Sequence, residues 1–199
     1  MTNGQKYIGT TDVVKNKDGK VTEDYRSDGS IMYSNESSGY RRMWNNTQTT
    51  GNEEMGVITD NGVLVLPSYK NGKKDSKIEE YGYTFEKGKI VDPVSGGKIS
   101  FSGTIHTHPT LETDLQGNVI HSWMGPSRED YTYFGNNTPN IPFYVITADR
   151  RVHANIPIDA NTKRPLNLTK NEYNSLSNYG NIIYFDRIVF GNFSLKNRR

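Results

Sequence analysis

The chain has 199 residues, of which 24 are basic and 22 acidic, a formal net charge of +2 and no cysteine. This length fits one domain that can bury a core without cross-links, and the missing cysteines exclude disulfides and thiolate ligands. Any metal must therefore be held by His, Asp or Glu. The balanced charge argues against nucleic acid as a partner, and no apolar run approaches the ~20 residues of a membrane span.

Residues 1–36 are polar and contain two Asp-Gly pairs, Asp18-Gly19 and Asp28-Gly29. Each pair predicts a tight turn between short strands. Because this segment has few core residues, we expect a loosely attached β-rich lead-in to a domain over residues 37–199. The start Met1–Lys6 has no apolar core and predicts no signal peptide, so we expect any export to be directed from outside this chain.

Apolar patterning predicts one helix and five strands in the first half of the domain. Ser37-Ser38 indicates the cap of a short helix that carries Tyr40, Met43 and Trp44. The near-continuous apolar run of residues 63–66 is typical of a central strand that is buried on both faces. The predicted strands are 53–59, 63–67, 81–85, 89–91 and 99–107.

The second half begins with a long irregular stretch, residues 109–126, of the kind that is often functional. A helix is predicted from Ser127, and Thr169 predicts the cap of another over 170–176. Further strands are expected at 143–147, 152–156 and 182–190. The mixed order predicts an α+β domain with a central mixed sheet.

The pattern His106-Thr107-His108-Pro109 ends the strand 99–107. Residues i and i+2 of a strand share a face, so both imidazoles point the same way and can bind one ion. Taken alone, His-x-His is also common by accident on half-exposed strands.

Two acidic motifs complete a candidate site. Ser127-Arg128-Glu129-Asp130 precedes a helix, where it can be a capping box and can also present a carboxylate and a hydroxyl to a metal. Glu53 and Glu54 begin a buried strand, where an acidic side chain must face solvent, a cation or water. Neighbouring strand residues face opposite ways, so only one of the two glutamates can point toward the site.

In this order, Glu53-Glu54-Met55-Gly56, His106-Thr107-His108-Pro109 and Ser127-Arg128-Glu129-Asp130 resemble the motifs of the JAB/JAMM (MPN+) metalloproteases. The resemblance covers about residues 38–156. It implies a JAB/MPN-like, cytidine-deaminase-like fold in which helices flank a mixed sheet. It also implies one Zn²⁺ per chain held by His106, His108 and Asp130, with Glu53 as general base and Ser127 as oxyanion donor.

The resemblance implies a protein or peptide substrate, joined by a peptide or isopeptide bond. Eighteen residues separate His108 from Ser127, whereas the family usually has seven, which makes substrate choice less certain than metal binding. Ser27–Ser30 and Val63–Tyr69 resemble sequences that precede the motifs in JAB-like toxin domains of bacterial polymorphic toxins. That likeness implies bacterial origin, delivery as part of a larger polypeptide and an immunity protein as a further partner.

Two other functions fit the same residues. One is a non-catalytic JAB-like binding module, and the other is a metal-dependent nuclease toxin that uses the same three ligands. The nuclease lacks the basic surplus expected for nucleic-acid binding. His121, within the long loop, is expected to be a surface residue rather than a ligand, and His153 is expected to be structural or exposed.

Overall fold

A computed structural model of the protein describes residues 12–67, 78–109, 112–113, 119–121, 126–147, 151–155 and 181–184. Within them, eleven strands form one sheet and two form a separate ribbon. In chain order the strands β1–β13 are Asp12–Lys15, Val21–Tyr25, Ile31–Tyr33, Met55–Thr59, Gly62–Val65, Thr84–Glu86, Lys89–Val91, Lys98–Thr107, Glu112–Thr113, Val119–His121, Phe143–Ile146, Arg151–Asn155 and Asn181–Tyr184. The helices are α1, Glu36–Thr50, and α2, Arg128–Asn137, with a short 3-10 helix at Ile78–Tyr81.

Strand pairing follows the order β1-β2-β3-β5-β4-β8-β11-β12-β13, and β7, paired with β6, joins the first part of β8. The JAB/MPN-like, cytidine-deaminase-like fold predicted from the sequence is wrong, whereas the coarser α+β class is compatible with the described residues. Every strand pair in the described residues is antiparallel except β8 with β11, and the described α-helices number only two. The apolar patterns located most of the strands, but the strand predicted at 81–85 begins only at Thr84, after the 3-10 helix Ile78–Tyr81. Such patterns do not specify the direction in which strands pair.

The two predicted Asp-Gly turns are confirmed. Asp18-Gly19 joins β1 to β2 and Asp28-Gly29 joins β2 to β3. Gly19 has φ 75° and Gly29 has φ 90°, the left-handed conformation that glycine adopts without steric cost. β3 pairs with β5, so this hairpin region continues the main sheet.

Helix α1 is longer than predicted and begins two residues earlier. Asn35, rather than Ser37 or Ser38, caps it by accepting a hydrogen bond from the Ser37 amide at 2.9 Å. Its apolar face extends past Tyr40 and Met43 to Thr47, and Gly51 ends it with φ 73°. The helix therefore runs for 15 residues along one face of the sheet.

Strands β4 and β5 form the predicted central hairpin, and all of their residues are buried. Gly56, the glycine of Glu-x-x-Gly, permits a close approach: a β-carbon there would lie 2.9 Å from the Leu64 carbonyl oxygen and 3.4 Å from Met43 Sδ. This glycine therefore allows α1 to pack tightly against the middle of the sheet.

The core has one layer on each face of the sheet. Tyr40 and Met43 of α1 pack on one layer with Ile58, and Tyr131 and Phe134 of α2 pack on the other. The two helices thus cover opposite faces of the same central strands. No helix in the described residues is long and apolar enough to cross a membrane.

The predicted helix over 170–176 and residues 185–190 of the last predicted strand lie outside the described residues. The predicted strands at 143–147 and 152–156 correspond to β11 and β12. Most of the stretch 109–126 is likewise outside the described part, but β9 and β10 form a short antiparallel ribbon within it.

A buried ion pair ties the lead-in to the rest of the sheet. Arg26 lies between β2 and β3 and pairs with Asp92, which follows β7; their side chains are 9% and 3% exposed. Arg26 also donates to Tyr83 Oη at 3.2 Å, and that hydroxyl donates to Asp28 at 2.6 Å. The segment 12–33 is therefore attached to the domain by side chains as well as by strand pairing.

We expect Asp92→Asn to lower the free energy of unfolding by about 3 kcal/mol at pH 7, because it leaves the Arg26 charge buried without its counter-charge. Burial alone would raise the pKa of Asp92, but hydrogen bonds from Arg26 and Ser95 hold it below its ordinary value. A carboxyl with a depressed pKa contributes stability above its unfolded pKa of about 3.9, and the contribution is lost as the pH falls through the folded pKa.

Urea unfolding from pH 3 to 7 measures this effect. The difference between wild type and Asp92→Asn should be largest above about pH 5 and should shrink toward pH 3. Glu86→Gln is the matched control, because Glu86 pairs with Lys98 at the surface, where both side chains are nearly half exposed. The control should change stability by less than about 1 kcal/mol. Equal effects of both substitutions would contradict the assignment.

Candidate metal centre

The two histidines lie at the end of β8, between β4 and β11. His106 is opposite Met55 on one side and Val145 on the other. The His108 amide donates to the Ile146 carbonyl at 2.9 Å, which extends the pairing with β11 by one residue. Both imidazoles are buried, at 2% and 1% exposure. The backbone that carries them is thus held on both sides by central strands.

Helix α2 brings Asp130 to the histidines. The predicted capping box is present: Ser127 Oγ accepts from the Asp130 amide at 3.0 Å, and Asp130 Oδ2 accepts from the Ser127 amide at 2.6 Å. One turn later, the Phe134 ring packs against His106 and stacks on Phe143, with centroids 5.6 and 4.9 Å apart. The cap and this aromatic contact together fix the start of α2 over the ends of the central strands.

Three ligand atoms converge at this point. The Nε2 atoms of His106 and His108 are 3.2 Å apart, and the Asp130 oxygens lie 3.2 Å from His106 Nε2 and 3.4 Å from His108 Nε2. Ligand atoms around a tetrahedral zinc with bonds of about 2.0–2.1 Å are separated by about 3.3–3.4 Å. Each imidazole nitrogen is at about this distance from the other and from one of the two Asp130 oxygens, and one ligand atom from each of the three residues lies within 4.8 Å of the others, so the group could hold a metal ion.

The electrostatics keep Asp130 ionised. Burial alone would raise the pKa of its carboxyl, but the neighbouring His106 and His108, by charge and by hydrogen bonding, hold that pKa well below its ordinary value. His106 Nδ1 is buried and has no hydrogen-bond partner in the described part of the chain. The ring of His106 packs on Phe134, and its Nε2 is directed toward Asp130 Oδ1.

The two glutamates at the head of β4 face opposite sides of the sheet. Glu53 Oε1 lies 3.7 Å from His108 Nε2, and its side chain is 17% exposed. Glu54 is 2% exposed and accepts a hydrogen bond from Asn46 Nδ2 of α1. Glu53 is thus the glutamate beside the candidate metal group, and Glu54 lies behind it against α1.

The solvent-facing side of the group is its carboxylate side. Asp130 and Glu53 keep 15% and 17% of their side chains exposed, whereas the imidazoles are sealed by the core. Ser127, 8% exposed, stands at the same edge. Its oxygen accepts the Asp130 amide, which leaves the hydroxyl proton available for donation. A ligand would therefore approach past the two carboxylates and the serine.

The remaining histidines lie on other elements. His121 ends β10, opposite Glu112 in the separate ribbon, and His153 lies within β12, opposite Val145. Phe134 belongs to none of the predicted motifs, although its spacing of four from Asp130 would place both residues on one side of a helix. The contacts of Asn46 and Thr47 have no signal in the local sequence.

No family model, curated protein or solved structure matches this chain. Assignment to the JAB/JAMM family therefore rests on the three motifs and their order in the sequence.

Proposed function

We propose that this chain is a zinc-dependent peptidase or isopeptidase of JAMM type in its motifs and mechanism. The observation that carries the proposal is the convergence of His106, His108 and Asp130 from two distant segments, with Glu53 3.7 Å from His108 Nε2. Two imidazoles and one carboxylate are a ligand set used by hydrolytic zinc, which keeps its fourth position for water or substrate.

Zinc bound by these residues would supply a Lewis acid and lower the pKa of water toward ~7. Glu53 is the proposed general base, because it flanks the ligands without being one of the three and its side chain keeps 17% exposure. It takes a proton from the attacking water and delivers it to the leaving amine. Ser127 donates a hydrogen bond to the oxyanion that forms on the scissile carbonyl.

The charges of the described side chains around the group favour an amide over a phosphodiester. Asp130 and Glu53 present two carboxylates on the side from which substrate approaches. Together they balance the charge of a divalent ion, so the loaded site has little net attraction for an anionic phosphate. Phosphoryl-transfer sites instead place Arg, Lys or several metal ions at the phosphate. A neutral carbonyl substrate suits this arrangement, so a nuclease is the second candidate function after the peptidase.

The proposed biological setting is the effector part of a secreted bacterial polymorphic toxin. It rests on the resemblance of Ser27–Ser30 and Val63–Tyr69 to sequences in such toxins and on the JAMM motifs themselves. In this setting the substrate is a protein of the target cell, and an immunity protein protects the producing cell.

The test begins with purified protein, its metal content and its response to metal removal. We expect about one zinc per chain, loss of amide hydrolysis after chelation and recovery with Zn²⁺. Activity is measured on a library of peptides and lysine-linked isopeptides, with plasmid DNA and RNA assayed in parallel. Zinc-dependent degradation of nucleic acid alone would favour the nuclease. Protein that binds no zinc after reconstitution would leave the binding module as the remaining function.

A further inference from the structure

Behind the metal group, on the opposite face of the sheet, four polar side chains link α1 to the end of β8, which carries the histidines, and to the start of β4, next to Glu53. We name Asn46, Thr47, Glu54 and Thr107 the α1 brace. Three of them are almost fully buried, at 1% for Thr47, 2% for Glu54 and 0% for Thr107. Burial of polar groups in a core is costly unless they are hydrogen-bonded, so their presence here requires an explanation.

The brace makes two contacts from adjacent residues of α1. Asn46 Nδ2 donates to Glu54 Oε1, just before β4, and the Thr47 hydroxyl is hydrogen-bonded to the Thr107 hydroxyl, at the end of β8. The two strand ends are also tied to each other, because Thr107 Oγ1 accepts from the Glu54 amide at 2.9 Å and the Thr107 amide donates to the Glu54 carbonyl at 3.0 Å.

Each braced residue is a chain neighbour of a site residue. Glu54 follows Glu53, and Thr107 lies between His106 and His108. Adjacent strand residues project to opposite faces, so holding Glu54 and Thr107 against α1 directs Glu53 and both imidazoles toward α2. The brace therefore contacts the backbone neighbours of Glu53, His106 and His108 from the face opposite to the metal group.

We infer that Asn46 and Thr47 are positioning residues, which act through Glu54 and Thr107 to set the geometry of the metal ligands and of Glu53. The inference rests on the proposed metal-dependent function and adds to it a control point on the far face of the sheet. Residues that orient metal ligands indirectly are known to change metal affinity by about 10–100-fold when substituted.

A charge-swap experiment tests this inference, with Co²⁺ as the metal probe because its visible absorption reports ligand geometry. Asn46→Asp places a second carboxylate against that of Glu54. We expect this repulsion to weaken Co²⁺ binding about 10-fold and to alter the Co²⁺ spectrum. Glu54→Gln keeps an acceptor oxygen for Asn46 and should remain close to wild type. The double variant Asn46→Asp/Glu54→Gln rebuilds the hydrogen bond with donor and acceptor exchanged, and it should regain wild-type affinity.

Melting temperatures separate positioning from stability. An Asn46→Asp protein that melts earlier but binds Co²⁺ with wild-type affinity and spectrum would overturn the inference, as would a double variant that regains neither. If Asn46→Asp does not fold, Thr47→Val replaces it, because this change removes one hydroxyl and keeps the side-chain volume. Thr47→Val should also weaken Co²⁺ binding, and unchanged binding would reject the inference.

Co²⁺ binding also distinguishes a failure of the inference about the α1 brace from a failure of the proposed hydrolase function. Unchanged Co²⁺ binding in the variants rejects the brace and leaves the proposed hydrolase intact. If wild type binds Co²⁺ normally, Asn46→Asp weakens binding and the double variant restores it, the role of the brace is supported. If that wild type also cleaves no amide, the peptidase is rejected. A wild type that binds no Co²⁺ rejects both together.

Discussion

Glu53→Gln should lower kcat for amide hydrolysis by about 10²–10⁴-fold while the protein keeps its metal. The amide of glutamine has nearly the shape of the carboxylate but cannot accept the proton of the attacking water. Zinc should remain, because the three ligand atoms come from His106, His108 and Asp130. The measurement is steady-state kinetics on a cleaved peptide or isopeptide, together with zinc stoichiometry on the same preparation.

The matched control is Glu129→Gln, an equally conservative change at an exposed glutamate beside Asp130 that takes no part in the group. It should leave kcat within about twofold of wild type, since surface substitutions of this kind have small effects. Loss of zinc from the Glu53→Gln protein would make Glu53 a ligand rather than a base. Wild-type turnover in that protein would remove Glu53 from the mechanism.

The double substitution His106→Ala/His108→Ala should reduce bound zinc from about one ion per chain to nearly none and abolish hydrolysis. It removes two of the three ligands, and a single carboxylate does not retain zinc against competing buffer and water. Mass spectrometry of the intact protein measures the stoichiometry. In the toxin setting, cells that express wild type should stop growing and cells that express the double variant should not.

Ser102→Ala is the matched control, because it truncates an exposed side chain on the same strand, β8. It should leave zinc content and hydrolysis unchanged. Circular dichroism checks that the double variant keeps its secondary structure after two buried rings, of which His106 packs on Phe134, are truncated. Retention of one zinc in a folded double variant would place the metal elsewhere. Growth arrest that persists without the histidines would show that toxicity does not depend on this site.

The sequence predicted local features well and long-range ones unevenly. The Asp-Gly turns, the central hairpin of β4 and β5 and the capping box at Ser127 depend on chain neighbours, so the pattern is complete within a few residues. Pairing direction depends on segments far apart, and the predicted JAB/MPN-like fold was wrong because the described strands pair antiparallel in all cases but β8 with β11. Periodicity gives the faces of a strand but says nothing of which strand lies beside it.

For the site, the motifs predicted that His106 and His108 share a face, and the described structure brings Asp130 to them. Strand alternation required Glu53 and Glu54 to diverge, but it did not say which of them faces the histidines. That choice depends on α1, whose Asn46 binds Glu54 on the far side. The catalytic and metal-binding roles themselves stay predictions, to be decided by the experiments above.

The position of the histidines at the centre of the sheet has a consequence for hydrogen exchange. His106 and His108 lie at the end of β8, which pairs with β4 on one side and β11 on the other. Their amide hydrogens should therefore exchange only when the whole domain unfolds. Asp130 instead lies on α2, which is joined to the sheet by side-chain packing of Tyr131 and Phe134 rather than by strand pairing. Hydrogen exchange should therefore report opening at Asp130 at lower free energy than at the two histidines.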